Sequence, residues 1–238
     1  MQVYYYPAGF GMVSVSPFCC KLDLYLKSTN VDYEIKYSNF KGKAPRGTKP
    51  HVVSVEGTRL GDTTQIIRHL VERGGIDLDV DLDQQQKALT HGLKCLVENH
   101  LFYLGMHYRF RTKEGDKSMQ QSAYVTLKGP AKSAAKIYKK KATDKRLRGV
   151  GMQHWTDAEL EIAFKEDLRT ISTWLGSNTY FHGDSLTTAD CILWGVMSQL
   201  YFDPAFADLG FVKWMESDVP NLVRYAQMIR AKFYPESS

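Results

Sequence analysis

The first third of the chain alternates strand-like and helix-like hydrophobic patterns, which predicts a small α/β unit. Residues 2–6 are rich in β-forming tyrosine and stop at Pro7. From Pro17 onward apolar residues recur at helical spacing, and Ser16 stands where an N-cap would precede a first helical proline. Residues 33–37 follow as a second strand. The order strand, helix, strand predicts a βαβ unit with a short crossover.

A hairpin and a further helix are predicted to complete this unit. Residues 51–55 and 58–60 are β-like segments that flank Glu56-Gly57, a two-residue hairpin signal. Asp62 follows in the position of an N-cap, before apolar residues at helical spacing. The first domain is therefore expected to be βαβ followed by ββα over residues 1–75.

The remainder of the chain has a helical pattern. Residues 76–83 alternate apolar and acidic positions, which indicates an extended linker. Thr187 and Asp190 have the spacing of a capping box, a structural motif at the start of a helix. We predict an all-α second domain over residues 84–238. Its expected helices cover residues 84–112, 130–147, 156–175, 187–201 and 219–232.

Composition is typical of a folded globular protein. Of 238 residues 43% are hydrophobic and 24% are charged, which excludes a disordered chain and a coiled-coil rod. No apolar run approaches the roughly 18 residues that a membrane span needs, and residues 1–18 lack the features of a signal peptide. The four cysteines form no C-x-x-C pair, which suits a reducing compartment and favours neither a disulfide framework nor a zinc site. We therefore expect a cytoplasmic protein without a membrane span.

The charge is modest but unevenly placed. A net charge of +5 is too small to predict nucleic-acid binding. The basic residues are concentrated in the segment Lys132–Arg148, where Asp144 is the sole acidic residue. We interpret this segment as a solvated helix, with an anionic partner or a membrane surface as the alternative.

Six motifs follow one another along the chain: Tyr6-Pro7, Ser16-Pro17-Phe18-Cys19, Lys49-Pro50-His51, Asp62-Thr63-Thr64, the connector 75–79, and 183–190. In this order they resemble the glutathione S-transferase superfamily, and within it the failed-axon-connections (Fax) and metaxin-like branch. The resemblance covers nearly the whole chain. It implies a thioredoxin-like α/β N-terminal domain and an all-α C-terminal domain, with glutathione as co-substrate and a homodimer as the usual assembly.

Ser16 is the leading candidate for chemistry. A hydroxyl at a helix N-cap lies beside unpaired backbone N–H groups and the positive end of the helix dipole, where an anion is stabilised. The resemblance implies that Ser16 donates a hydrogen bond to the glutathione sulfur and holds it as thiolate, the nucleophilic form. Two alternatives stay open. Ser16 is a plain cap, or Tyr5 or Tyr6 at the end of the first strand holds the thiolate instead.

The resemblance also implies a binding site for the rest of glutathione. Pro50 matches the cis-proline before the third strand of thioredoxin-like folds, and Lys49 would bind the cysteinyl part through its main chain. Asp62 and Thr63 match the pair that binds the γ-glutamyl group, Asp62 at the ammonium and Thr63 at the carboxylate. The candidates for an ion pair with the glycyl carboxylate are Lys41, Lys43 and Arg46.

Other polar residues carry weaker hypotheses. Cys19 and Cys20 lie inside the first helix without an exchange partner and are predicted to be core residues. On the first long helix one face carries His100, Tyr103, His107 and Arg111. That face is expected to border either an acceptor-substrate cleft or a packing interface. Two histidines seven residues apart are about 10 Å apart along a helix, too far to share one metal ion without other ligands.

The predicted function is conjugation of glutathione to a small electrophile, a detoxification reaction, with Ser16 stabilising the thiolate. The competing prediction is a non-catalytic interaction protein of the metaxin or Fax type, because a fold alone does not fix a function. Retention of Ser16, Pro50 and the Asp62-Thr63 pair favours glutathione binding. No metal is predicted to take part, and the acceptor substrate does not follow from the sequence.

Overall fold

The N-terminal part of the chain folds around a four-stranded sheet. We describe a computed structural model that covers residues 1–38, 44–47, 49–124 and 127–235. The strands are β1 (Gln2–Tyr5), β2 (Glu34–Tyr37), β3 (His51–Val53) and β4 (Arg59–Gly61). Their spatial order is β2-β1-β3-β4, with β1 parallel to β2 and the other two pairs antiparallel. This topology confirms the predicted βαβ unit followed by a hairpin.

The hairpin between β3 and β4 has a longer turn than predicted. The Ser54 N–H donates to the Thr58 carbonyl (2.9 Å) and the Gly57 N–H donates to the Ser54 carbonyl (3.0 Å). Gly57 has φ 84°, a conformation that glycine adopts without steric cost. β3 therefore ends at Val53, two residues before the predicted limit, and β4 keeps its predicted length but is shifted by one residue.

Two helices pack on this sheet. α1 (Pro17–Ser28) begins at the predicted N-cap Ser16. α2 (Thr63–Glu72) follows β4. Every residue from 19 to 26 is buried, because α1 packs on α8 and α2 and shares one hydrophobic core with the strands. Cys19 and Cys20, both fully buried, are core residues as predicted.

The rest of the described chain is helical, which confirms the predicted all-α second part. The expected helix over 84–112 is observed as α3 (Gln84–Leu96) and α4 (Phe102–Arg111), joined by a π-helical turn at Val97–Leu101. The remaining helices are α5 (Lys113–Gln121), α6 (Gly129–Gly149), α7 (Asp157–Leu175), α8 (Thr188–Leu200), α9 (Pro204–Asp208), α10 (Phe211–Asp218) and α11 (Pro220–Phe233).

Three of these helices were not predicted. α5 has a strongly polar sequence, and Thr112 caps it directly after α4 ends, so it has no long apolar stripe of its own. α9 and α10 contain 5 and 8 residues, too short for a helical period to be recognised.

α8 is the central helix of the helical part. It is buried along almost its whole length and packs on α1. Gly195 permits this approach, since a Cβ there would lie 2.6 Å from the carbonyl oxygen of Pro17. The first turn of α1 is therefore positioned directly by α8.

Two acidic side chains cap the start of α8. Asp190 accepts a hydrogen bond from the backbone N–H of Thr187 (2.8 Å), which confirms the predicted capping box. Asp79, in the segment between α2 and α3, accepts from the backbone N–H of Thr188 (2.8 Å). An acidic residue of the predicted linker thus ties that segment to α8.

The residues after α11 return to α1. The Tyr234 ring stacks on Trp194 with centroids 5.2 Å apart, and the Lys27 ammonium lies 3.9 Å from the Tyr234 ring centroid. Lys27 also donates to the Phe233 carbonyl (3.1 Å). One lysine of α1 therefore holds residues more than 200 positions later in the chain.

Across the ranges that the structure describes, no helix is long and apolar enough to span a membrane. The predicted domain limits at residues 75 and 84 fall between α2 and α3 and stay a prediction.

Candidate functional site

The first feature of the candidate site is the N-terminus of α1. Ser16 has extended backbone angles (φ −112°, ψ 124°) and is 8% exposed, and its hydroxyl accepts no hydrogen bond from the helix. The Ser16 side chain therefore makes no capping hydrogen bond to α1, although Ser16 occupies the N-cap position. It lies near the Cys19 sulfur.

The Cys19 thiol lies next to Ser16 but is fully buried. Burial raises its pKa to about 11, although the Tyr6 backbone and the Ser14 and Ser16 hydroxyls oppose the shift by hydrogen bonding. A thiol that is fully buried and protonated near neutral pH is a poor nucleophile.

The long loop between β1 and α1 is tightly folded. The Ser14 hydroxyl donates to the Tyr6 carbonyl (2.9 Å) and accepts from the Ser16 N–H (3.2 Å). Near its middle, Gly9 and Met12 exchange two backbone hydrogen bonds, of 3.2 and 2.9 Å. Ser16 therefore has its orientation fixed through Ser14 to the end of β1.

The two tyrosines that were rivals of Ser16 occupy different environments. Tyr5 is fully buried, and burial, reinforced by Asp23, raises its pKa well above the ordinary value. Its side chain lies in the core, so the alternative that Tyr5 holds a thiolate is wrong. Tyr6 is only partly buried and lies within 5.2 Å of the Lys49 ammonium and 5.1 Å of the Lys139 ammonium, measured to the ring centroid. Tyr6 therefore stays an alternative.

The peptide bond between Lys49 and Pro50 is cis, as predicted. Lys49 is 6% exposed, its ammonium donates to the Ser38 carbonyl (2.5 Å), and burial lowers its pKa. The Lys49 side chain thus packs as a structural element beside Tyr6. Its main chain remains the proposed contact for a ligand.

Sheet register brings Asp62 to the same end of the sheet as Pro50. β3 and β4 pair His51 with Gly61, so the residues just outside this pair, Pro50 and Asp62, are neighbours across the antiparallel strands. Thr63 begins α2 and is 3% exposed. The motifs around Pro50 and Asp62 are therefore close in space, although they are separate in sequence.

Asp62 has an unusual backbone conformation. It caps α2 as predicted, accepting from the N–H groups of Thr64 (3.0 Å) and Gln65 (3.2 Å). Its φ of 79° with ψ of 124° is costly for a residue with a side chain. Such strain persists where the surroundings impose it, and it clusters at ligand sites.

The three basic candidates for the glycyl carboxylate lie between β2 and β3. Lys41 and Lys43 lie outside the described residues. Arg46 has its backbone in a 3₁₀ turn, Pro45–Gly47, and its side chain is outside the described part. The choice among the three stays a prediction.

The polar face of the first long helix is a packing interface at three of its four predicted positions. Each of these three basic side chains pairs with an aspartate of another helix: His100 with Asp167 (2.7 Å), His107 with Asp157 (3.5 Å) and Arg111 with Asp144 (2.9 Å). Burial lowers the pKa of His107, which favours its neutral form. These contacts to α6 and α7 favour the packing alternative over the cleft.

Sequence reasoning missed two polar residues that contact the loop before α1. Arg109 of α4 donates to the Val15 carbonyl (3.1 Å), and the Gln199 amide of α8 donates to the Ser14 carbonyl (3.2 Å). No local sequence pattern predicts a role for either residue, because the role of each depends on a contact with a distant part of the chain.

The motifs and the two-part architecture agree with models of a known family. Residues 17–115 match the glutathione S-transferase N-terminal domain, and residues 164–229 match the glutathione S-transferase C-terminal domain. The chain belongs to the glutathione S-transferase superfamily. The predicted thioredoxin-like and all-α architecture is thereby confirmed.

The curated relatives include a glutathione S-transferase, a failed-axon-connections protein and a metaxin-1 homolog. An isoprene-epoxide–glutathione S-transferase of Rhodococcus sp. strain AD45 is 27% identical, covering 98% of this chain and 99% of the relative. Failed axon connections of Drosophila melanogaster is 26% identical over 94% of this chain and 55% of the relative, so the chain spans about half of that protein. A metaxin-1 homolog of Caenorhabditis briggsae is 24% identical over 100% and 75%.

Solved structures share the fold. Gtt2 of Saccharomyces cerevisiae aligns with a TM-score of 0.62 at 16% identity, covering all of both chains. A glutathione S-transferase of Methylobacterium radiotolerans, in complex with glutathione sulfonate, aligns with a TM-score of 0.59 at 14% identity, covering 100% of this chain and 94% of the other. At 14% and 16% identity, these alignments show that the fold is shared.

Proposed function

We propose that the protein binds glutathione and conjugates its sulfur to a small electrophile. The observation that carries the proposal is the Ser16 hydroxyl, which is buried at the start of α1 and makes no capping bond. A donor at that place, beside the positive end of a helix, suits a sulfur anion. When bound, glutathione supplies the thiol whose sulfur forms the new bond to carbon.

Each part of the site has a role in this proposal. Ser16 donates to the sulfur, which lowers the thiol pKa and increases the fraction of thiolate near neutral pH. The main chain of Lys49, turned by the cis bond to Pro50, binds the cysteinyl amide. Asp62 accepts from the γ-glutamyl ammonium, and Thr63 donates to its carboxylate at the N-terminus of α2.

The residues present fit glutathione in charge and placement. In this proposal the positive helix ends of α1 and α2 would lie opposite anionic groups of the tripeptide, and the Asp62 carboxylate would accept from its cationic group. The full-length similarity to an isoprene-epoxide–glutathione S-transferase supports an electrophile such as an epoxide as acceptor class.

A non-catalytic interaction role is the second candidate. It is favoured by the similarity to failed axon connections and to a metaxin-1 homolog. A homodimer, a cytoplasmic location and a role in detoxification belong to the first proposal and are untested predictions.

Titration calorimetry of the wild-type protein with glutathione separates the two candidates. Heat of binding at micromolar to millimolar glutathione supports the transferase. Its absence in folded protein favours the interaction role.

Ser16→Ala tests the catalytic assignment. The variant should bind glutathione nearly as well as the wild type but should conjugate a chloronitrobenzene about tenfold to a thousandfold more slowly near neutral pH, because one donor to the developing anion is lost. Ser28→Ala, at the other end of α1, is the matched control, since its hydroxyl donates to the Tyr25 carbonyl within the helix. If Tyr6→Phe loses the activity and Ser16→Ala keeps it, the thiolate contact belongs to Tyr6.

A further inference from the structure

Arg109 is a buried cation of the helical part that reaches into the N-terminal part. It lies on α4 with 9% of its side chain exposed. Its guanidinium lies 2.9 Å from Asp203, which is fully buried, and its Nε donates to the same carboxylate at 3.0 Å. A guanidinium that is bonded through two nitrogens has a fixed plane and direction.

Asp203 is itself held in place. It accepts from the Ala205 N–H (3.0 Å) at the start of α9 and from the Ser118 hydroxyl of α5. Two helices, α5 and α9, therefore hold the Asp203 carboxylate that fixes the Arg109 side chain.

The outward contacts of Arg109 lie on the loop that leads to Ser16. Its Nη1 donates to the carbonyl of Val15 (3.1 Å), the residue immediately before Ser16, and its guanidinium lies 5.2 Å from the Phe10 ring centroid. Its Nη2 lies at 3.4 Å from the Gln199 carbonyl, and the Gln199 amide donates to the Ser14 carbonyl (3.2 Å). Consecutive carbonyls before the α1 N-cap are thus held from α4 and α8.

We propose that Arg109 is a positioning residue of the thiolate site, which orients Ser16 by fixing the Val15 carbonyl. The inference rests on the proposed function, in which Ser16 contacts the glutathione sulfur. The Val15 carbonyl and the Ser16 N–H belong to one planar peptide group, so a bond to that carbonyl sets the direction in which Ser16 leaves it. The helical part of the protein thereby controls the geometry of a donor that the thioredoxin-like part supplies.

The alternative is that Arg109 stabilises the fold and has no effect on the orientation of Ser16. A buried ion pair is weak support for a stability role, because desolvation offsets its attraction. Small errors in the direction of a catalytic donor, in contrast, reduce rates strongly. A measurement at position 16 distinguishes the two.

The first experiment needs no glutathione. Ser16→Cys places a titratable reporter at the N-cap. The background carries Cys95→Ser, which removes the partly exposed thiol, and Cys19→Ala, which prevents a Cys-x-x-Cys pair with position 16, while the remaining Cys20 and Cys191 are buried. The pH dependence of its alkylation by iodoacetamide gives the thiol pKa, expected below about 8.5 at a helix N-terminus.

Replacing Arg109 should then raise this reporter pKa. Arg109→Met should shift this pKa upward by about one unit. Arg109→Lys should shift it by nearly as much, because a single ammonium keeps the charge but lacks the several guanidinium N–H donors that contact Asp203 and Val15 together. Arg111→Met is the matched control on the same helix, where the arginine pairs with Asp144, and should leave the reporter unchanged. Full recovery of the wild-type value in Arg109→Lys would show that charge alone acts and would overturn the positioning role.

The second experiment uses the unmodified site. Arg109→Lys should lower kcat with a chloronitrobenzene about tenfold or more, move the acidic limb of the kcat/KM profile to higher pH, and change the KM for glutathione by less than about threefold. Asp203→Asn serves as a second variant should Arg109→Met fail to fold, and should move the reporter in the same direction. A loss of urea stability with an unmoved reporter and an unmoved pH profile would establish an anchor instead. If wild-type protein fails to bind glutathione, the proposed function fails, whereas the reporter still tests the geometry.

Discussion

At the scale of single residues, Asp62 combines a helix cap with a strained backbone. Its carboxylate accepts from Thr64 and Gln65, and its φ is 79°. Asp62→Ala should lose the cap and keep the strain, which lowers the free energy of unfolding by about 1–2 kcal/mol. Asp62→Gly loses the same cap but fits the backbone, so it should be more stable than Asp62→Ala by about 1 kcal/mol in urea unfolding.

Glutathione affinity separates the two roles of Asp62. Both variants lose the carboxylate, so both should bind glutathione more weakly by about 1.5–3 kcal/mol, the range for hydrogen bonds to charged groups. Wild-type affinity in Asp62→Gly would exclude the carboxylate from the binding site.

Residues whose role is local could be predicted from the sequence. Ser16 as N-cap, Asp62 as cap and the Thr187–Asp190 box all depend on a few neighbouring residues, and the structure confirms their positions. The burial of Tyr5 and the contact of Arg109 with Val15 depend on which distant segments meet. No local pattern carries that information.

At the scale of elements, the contact between α1 and α8 depends on one glycine. A Cβ at Gly195 would lie 2.6 Å from the Pro17 carbonyl oxygen and 3.1 Å from the Lys21 Cβ. Gly195→Ala should therefore destabilise the fold by about 1–3 kcal/mol, the usual effect of overpacking. Gly92→Ala on α3, where a Cβ meets no atom within 4 Å, is the matched control and should stabilise by roughly 0.5–1 kcal/mol. Equal urea midpoints for the two variants would contradict this account of the packing.

The cap of α8 should make stability depend on pH. Burial raises the pKa of Asp190 from 3.8 to about 6, against the opposing hydrogen bonds from Phe181 and Thr187. The folded chain then binds this proton more tightly than the unfolded chain, so the free energy of unfolding falls as pH rises through about 4 to 6. The upward shift of the Asp190 pKa corresponds to a loss of about 3 kcal/mol at most over this pH range.

Asp190→Asn removes this titration. The stability difference between wild type and variant, measured by urea unfolding, should shrink as the pH is raised from about 4 to about 7. A difference that grows with pH would mean that the donor groups of Phe181 and Thr187 outweigh burial and hold the carboxyl below its ordinary pKa.

The long helices could be predicted because each shows a repeated apolar stripe. The helices α5, α9 and α10 could not be predicted because they lack such a stripe. A helix of many turns shows a repeated apolar stripe, as α7 and α11 do, and the structure places these within a residue or two of the expected limits. α5 is polar, and α9 and α10 are short, so their helical state is set by packing against other helices.

At the scale of the whole molecule, the two parts are joined by an aromatic contact as well as by α1 and α8. Tyr234 is 5% exposed between Trp194 and the Lys27 ammonium. Tyr234→Ala should lower the free energy of unfolding by about 3–5 kcal/mol, because it removes a large buried ring. Tyr234→Phe keeps the ring stack and removes a buried hydroxyl that has no hydrogen-bond partner among the described residues, so it should leave the free energy of unfolding within about 1 kcal/mol of the wild-type value. A similar loss in both variants would assign the stabilisation to the hydroxyl.

The bond from Lys27 to the Phe233 carbonyl also has a consequence for synthesis on the ribosome. α1 is made early, yet the residues that cover its Lys27 end are translated 206 positions later. Until they emerge, the nascent N-terminal part exposes the apolar surface that Tyr234 later covers, and domains of this kind fold as units once their segments are available. The N-terminal part should therefore depend on chaperone protection for most of its translation, and a stalled chain that ends before Phe233 should be a preferred target of proteolysis.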